Sequence, residues 1–255
     1  MSGISSIHAN ASSNMSYGKL ASGKKLNSAA DGASELAIAE KLKSQSNGLT
    51  AGASNASAGK NVLNIADGAL GGIQDYLQRI KEISIKASNG LNSSSDKSAM
   101  QAEVSELLKG IQSTAKGTEY NTMSVLDGNM ASMDIATNPD GTGMQIQMSN
   151  STLEALGIDG YDVTGNFDMK RIDNALDMVS QSRSNAGAAS NALDYAYTYN
   201  QNAALQQTSA QSSLEDLDMP KAISEMKKNE VLDDYKNTML KKGMEQESLV
   251  TKMLQ

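Results

Sequence analysis

Cysteine and tryptophan are absent from this 255-residue chain, and phenylalanine and histidine each occur once. Without a thiol there is no disulfide, no cysteine metal ligand and no cysteine nucleophile, and His8 alone cannot build a multi-histidine site. Aromatic residues make up 4%, and 22 Lys and Arg stand against 29 Asp and Glu for a net charge of -7. That balance argues against a phosphate-tracking groove or a base-stacking platform, so nucleic acid is not an expected partner. No apolar run approaches the roughly 20 residues that span a bilayer, which argues against membrane insertion. The polar start, residues 1–16, lacks the basic and then apolar regions of a Sec-type signal, and a soluble chain is expected.

The remaining chemistry-bearing clusters read as ordinary surface. Glu215-Asp216 and Asp233-Asp234 are acidic pairs of the kind common at helix starts and on solvated faces. Gly141-Thr142-Gly143 lacks the lysine and helix of a phosphate loop and reads as a hairpin turn. No catalytic, metal or cofactor constellation is expected, and the chain does not read as an enzyme.

Proline is nearly absent too, with only Pro139 and Pro220, so long helices are allowed. A spacing of seven links Leu42, Leu49, Ala56, Leu63, Leu70 and Leu77 over residues 36–88, with Ala66, Ile73 and Ile80 at the second seam position. In the early turns that second position is Gln45, Gly52 and Gly59, which predicts close backbone approach of a neighbour. Asn89, Gly90 and Ser93–Ser95 end this helix and cap the next, whose Met100, Val104, Leu107 and Ile111 share one face up to about Lys116. The pair should form an αα-hairpin. Alternation in Met133–Ile135 and Met144–Met148 around Asn138-Pro139-Asp140-Gly141 predicts a β-hairpin over 133–148. A helical turn at 151–156 and a compact Gly- and Asp-marked loop at 157–163 follow, and helix resumes near Asp168. Ile172, Ala175, Val179, Ser182, Ala186, Ala189, Leu193, Ala196 and Ala203 then form a seam of mostly small residues.

The ends differ from this interior. Within residues 1–17, Ile4, Ile7, Met15 and Tyr17 are too few to offset ordering entropy, so this N-terminal core segment is expected to order only against a partner. A last helix carries Ile223, Met226, Leu232, Tyr235, Met239, Leu249, Val250, Met253 and Leu254, an apolar stripe with nothing after it to cover it. This predicts terminal helices that pair with each other and with copies from neighbouring subunits. The expected fold is mainly α: a long antiparallel helical bundle (34–210) with terminal coiled-coil segments (1–33 and 211–255) and a small β-hairpin. Within the bundle, Leu77 and Ile80 should be buried while Gln78, Arg79 and Glu82 rotate outward.

Several stretches together resemble bacterial flagellin across nearly the whole chain. They are Lys19–Gly23 with Asn27–Asp31, Leu77–Glu82, Glu119-Tyr120-Asn121 with Val125-Leu126, Gly157–Gly160, Arg171–Leu176 with Arg183–Ala188, and Ser213–Asp216. The resemblance implies a short form lacking the variable outer domains of larger flagellins. It implies a structural subunit, exported by the flagellar secretion apparatus without a cleaved signal peptide and polymerised into the extracellular filament for motility. Implied partners are itself, an export chaperone, cap and junction proteins, and a host toll-like receptor that would meet Gln78, Arg79, Glu82 and Ile83. Two departures stand out. Leu20 comes about a dozen residues earlier than is typical, roughly three helical turns. Gly110 and Lys86 stand where many recognised flagellins carry Glu and Gln, which implies weaker receptor recognition. A hook-filament junction protein or a minor flagellin is the alternative, and Leu156–Gly160 after the hairpin favours flagellin.

Overall fold

The computed structural model describes residues 17–253. Ile4, Ile7, His8, Met15 and Leu254 lie outside them. Four α-helices dominate: α1 (Ala33–Ala87), α2 (Ser94–Gly117), α3 (Lys170–Glu215) and α4 (Met219–Met253). Between α2 and α3 lie two antiparallel pairs, β1 (Glu119–Tyr120) with β2 (Met123–Ser124), and β3 (Ser132–Ala136) with β4 (Gly143–Gln147). The chain divides into two compact units, one combining residues up to Ser44 with those from Gln206 onward, the other Gln45–Leu205.

The larger unit is built on the α1 heptads. Leu49, Ala56, Leu63, Leu70 and Leu77 are buried, as are Ala66, Ile73 and Ile80 at the second seam position. Helix α2 packs Val104, Leu108, Ile111 and Ala115 against the later turns, with Met100 and Leu107 half-buried beside them. Ser93 caps α2: its hydroxyl accepts from the Asp96 amide while the Asp96 carboxylate accepts from the Ser93 amide, the reciprocal arrangement that satisfies two orphan donors. Helix α3 contributes Ile172, Ala175, Val179 and Leu193. Three ion pairs set its direction: Lys60–Asp194 at 2.6 Å, Asp67–Arg183 at 2.8 Å and Lys81–Asp173 at 2.7 Å. Partner numbers fall along α3 as they rise along α1, so the two helices are antiparallel.

With 24 residues against the 55 of α1, α2 is too short to cover the whole α1 face. The β3–β4 hairpin covers the earlier turns instead. Its register pairs Met133 with Ile146 and Ile135 with Met144, as the alternation predicts. Ile146 is buried with Ala56, Leu63 and Leu193, and Met133, Ile135 and Met144 pack around them. The glycines of α1 make this possible. A Cβ at Gly52 would collide with the Thr137 carbonyl, one at Gly48 would sit 2.8 Å from the Pro139 side chain, and one at Gly59 would crowd Ile135 and Leu193. The neighbour that the glycine spacing demands is therefore the hairpin.

Two features are not predicted by the sequence pattern. The β1–β2 pair turns through Asn121 (φ 48°) and Thr122 (φ 64°), and a left-handed conformation is rare for a β-branched threonine. The 157–163 loop is a core element: Ile158, Tyr161 and Val163 are fully buried. Tyr161 donates to Ser84 Oγ at 3.0 Å, and Gln101 brackets the loop by donating to the Tyr161 carbonyl and accepting from the Val163 amide. Arg171 donates to the Gly157 and Asp159 carbonyls and lies 5.8 Å from the Tyr161 ring centre.

Candidate assembly and recognition surfaces

In the other unit, short-range capping and long-range pairing converge on one junction. The Asp31 carboxylate accepts from the Asn27 and Ser28 amides and pairs with Lys19 at 2.7 Å. These contacts, led by the Lys19 ammonium, hold its pKa down to about 2 from an ordinary 3.8. Opposite, the Lys25 amide donates to the Glu215 carbonyl at 2.7 Å and the Leu217 amide to the Gly23 carbonyl at 2.9 Å. Lys24 Nζ lies 2.6 Å from Glu215 Oε2, a nearly buried carboxylate whose pKa this ammonium lowers. Helix α3 ends here. Asp218 accepts from the Lys221 amide and starts α4, with Pro220 in the first turn, where its missing N–H costs nothing. Tyr17 donates to Glu230 across the same unit at 2.7 Å.

Helix α4 leaves its apolar residues uncovered among the described residues. Ile223, Leu232, Tyr235, Met239, Leu249, Val250 and Met253 are all exposed, Met239 by 50% and Met253 by 86%, and Met226 is half-buried. The stripe read from sequence as one face divides in two. At about 100° per residue, Leu232, Tyr235, Met239, Val250 and Met253 fall within roughly 40° of one line. Met226 and Ile223 lie about 120–160° or more from that line, and so does Met244, with Leu240 about 100° away. The six-residue step from Met226 to Leu232 breaks the three-four alternation and moves the stripe around the helix. Leu240 and Met244, which the stripe omitted, are 58% and 62% exposed. One neighbour can cover one such line; covering both takes two.

On the bundle, Leu77 and Ile80 are fully buried and Gln78, Arg79 and Glu82 are exposed, in agreement with the helical spacing. Ile83 is a correction. Only 2% exposed, it continues the inward row of Leu77 and Ile80 and presents no surface to a partner. The Arg79 guanidinium is not free either. It pairs with Glu103 of α2 at 2.7 Å and Glu82 at 3.0 Å, and these carboxylates raise its pKa further. Glu103 lies 24 residues away in sequence, so nothing local announces it. Nearby, Gly110 makes room for the Tyr76 ring, whose edge would lie 3.2 Å from a Cβ there. No helix among the described residues is long and apolar enough to cross a membrane.

Comparison with known proteins bears on both terminal regions. A family model for the bacterial flagellin N-terminal helical region matches residues 2–131, and one for the C-terminal helical region matches residues 169–254. Flagellin of Halalkalibacterium halodurans is 29% identical over 97% of this chain and 95% of its own length. Flagellin FlaB1 of Treponema pallidum is 31% identical over 91% of this chain and 89% of its own. In fold, the chain is similar to the crystal structure of Bacillus cereus flagellin, with a TM-score of 0.51 at 22% identity, over 58% of this chain and 88% of the other.

Proposed function

The chain belongs to the bacterial flagellin family, and we propose that it is a structural, non-catalytic subunit that polymerises through its terminal helices into the extracellular flagellar filament and so serves motility. The observation that carries the assembly step is α4, a 35-residue helix whose apolar residues fall on two separate lines that, Met226 apart, are exposed among the described residues. A pairwise dimer contact covers one line, whereas a helical polymer supplies neighbours on more than one side. The segments 1–33 and 211–255 form the inner core of the filament and 34–210 the surrounding bundle.

Export through the flagellar secretion apparatus, an export chaperone, and cap and junction proteins complete the partner set that the family implies. The outward cluster of Gln78, Arg79 and Glu82 is a contact for a neighbouring subunit or a host toll-like receptor. Arg79 is held by two carboxylates and is preorganised for such a contact. Gly110 and Lys86 weaken the receptor contact.

Electron microscopy of the purified full chain under assembly conditions tests this reading. Filaments are the expected result. Closed rings favour a hook-filament junction protein, and monomers at every concentration overturn the assembly reading.

A further inference from the structure

We propose that Met239, Met244 and Met253 of α4 are an oxidation-sensitive modification site at which a peroxide-class oxidant blocks assembly of the free subunit. The proposal rests on the reading of α4 as an assembly helix. Five of the chain's 15 methionines, Met219, Met226, Met239, Met244 and Met253, belong to this one helix. In a chain without cysteine the thioether is the softest nucleophile present, and its oxidation follows exposure. Met239, Met244 and Met253 are half to almost fully exposed, whereas Met133 and Met148 are half-buried against the bundle core.

Placement gives the chemistry its consequence. Met239 and Met253 lie on the first apolar line of α4 and Met244 beside Leu240 on the second, so each docking face carries a thioether. In the reaction, a sulfur lone pair attacks one peroxide oxygen, an S–O bond forms and the O–O bond breaks. Sulfur loses two electrons to the peroxide, and the other oxygen leaves as water after taking up the proton. The product is a sulfoxide, a strong acceptor where an apolar group stood. Apart from the Tyr235 hydroxyl on the first line, the apolar side chains of the two lines carry no donor, so burying a sulfoxide among them against an apolar neighbour leaves a polar group without its partner. Once a neighbour covers α4 the same sulfur atoms are out of reach, so the free subunit is sensitive and the polymer protected. Reduction of the sulfoxide restores the original side chain.

The test treats the full chain with hydrogen peroxide, quenches with catalase, maps sulfoxide by mass spectrometry and measures the critical concentration for polymerisation. Sulfoxide is expected at residues 239, 244 and 253 before 133 and 148, with a rise in critical concentration of about tenfold that methionine sulfoxide reductase reverses. The triple variant Met239→Leu, Met244→Leu, Met253→Leu has no thioether at these positions, so, whatever critical concentration the untreated variant shows, the same treatment should leave that value unchanged. The exposed Met123 and Met178, elsewhere in the chain, still oxidise in that variant and report that the oxidant was active. Unchanged assembly of protein carrying the three sulfoxides overturns this proposal alone, as does equal loss of assembly in the treated leucine variant. Failure of untreated protein to polymerise overturns the assembly reading and this proposal with it.

Discussion

The α-carbon of Gly52 lies against the carbonyl of Thr137, in a space no side chain can enter, and Asn200 donates to that same carbonyl from α3 at 2.6 Å. One peptide group of the hairpin is thereby held between the two long helices of the larger unit. Gly52→Ala should destabilise the protein by about 1–3 kcal/mol in urea unfolding, because the obstacle is backbone rather than a side chain that can swing away. Gly187 has nothing near it, and Gly187→Ala should stabilise by about 0.5–1 kcal/mol through helix propensity. Opposite signs for the same substitution separate packing from propensity.

Asn200→Ala removes the buried donor and should cost about 1–3 kcal/mol. Because Gly52 and Asn200 act on one carbonyl, the double variant should lose less than the two single losses added together. Urea unfolding of the four proteins in the cycle checks this, and simple additivity would show that the contacts are independent.

Sequence pattern carried the parts of the fold that repeat along one element. The α1 heptads, the α2 face, the serine cap and the alternation of the hairpin each depend on residues a few places apart. What escaped depends on partners distant in sequence. Glu103 closes on Arg79, Asn200 reaches Thr137, and Tyr161 threads to Ser84 from a loop whose glycines and aspartates marked it only as compact. Ile83 was misplaced for a different reason: family resemblance put it with an exposed set, although its spacing from Ile80 already put it inside. Thr122 gave no signal at all, since its residue type argues against the left-handed turn that it makes.

At Arg79, exposure and energetics should part company. Arg79→Ala should leave the urea midpoint nearly unchanged, as exposed ion pairs contribute little. The critical concentration for assembly or the dissociation constant for the receptor should rise about five- to tenfold if the fork is an interface anchor. Glu103→Gln, which loosens the fork without removing it, should give a smaller change in the same direction. Sedimentation of polymer and surface-plasmon binding provide the two readouts.

The junction near Asp31 should respond to acid late. A carboxyl with a folded pKa of about 2, below its ordinary 3.8, contributes stability that is present above the ordinary value and lost as pH falls through 2. Carboxyl chemical shifts followed by NMR should therefore show Asp31 titrating near 2, below the ordinary 3.8. Lys19→Met should move that midpoint upward, since the ammonium is the largest cause of the depression.

The pairing of Lys24 with Glu215 also sets a timetable. The two residues are 191 positions apart, and the strand-like bonds of Lys25 and Leu217 close the same gap. A ribosome adding about 10 residues per second needs roughly 20 seconds to cover that distance. The isolated turns of α1 and α2 can come and go in microseconds meanwhile. Until residues 215–230 exist, Tyr17, Gly23, Lys24 and Lys25 lack their distant partners, and the unit that joins both ends cannot close. In that interval the terminal unit stays open whatever the state of the larger unit, whose residues 45–205 carry a core of their own.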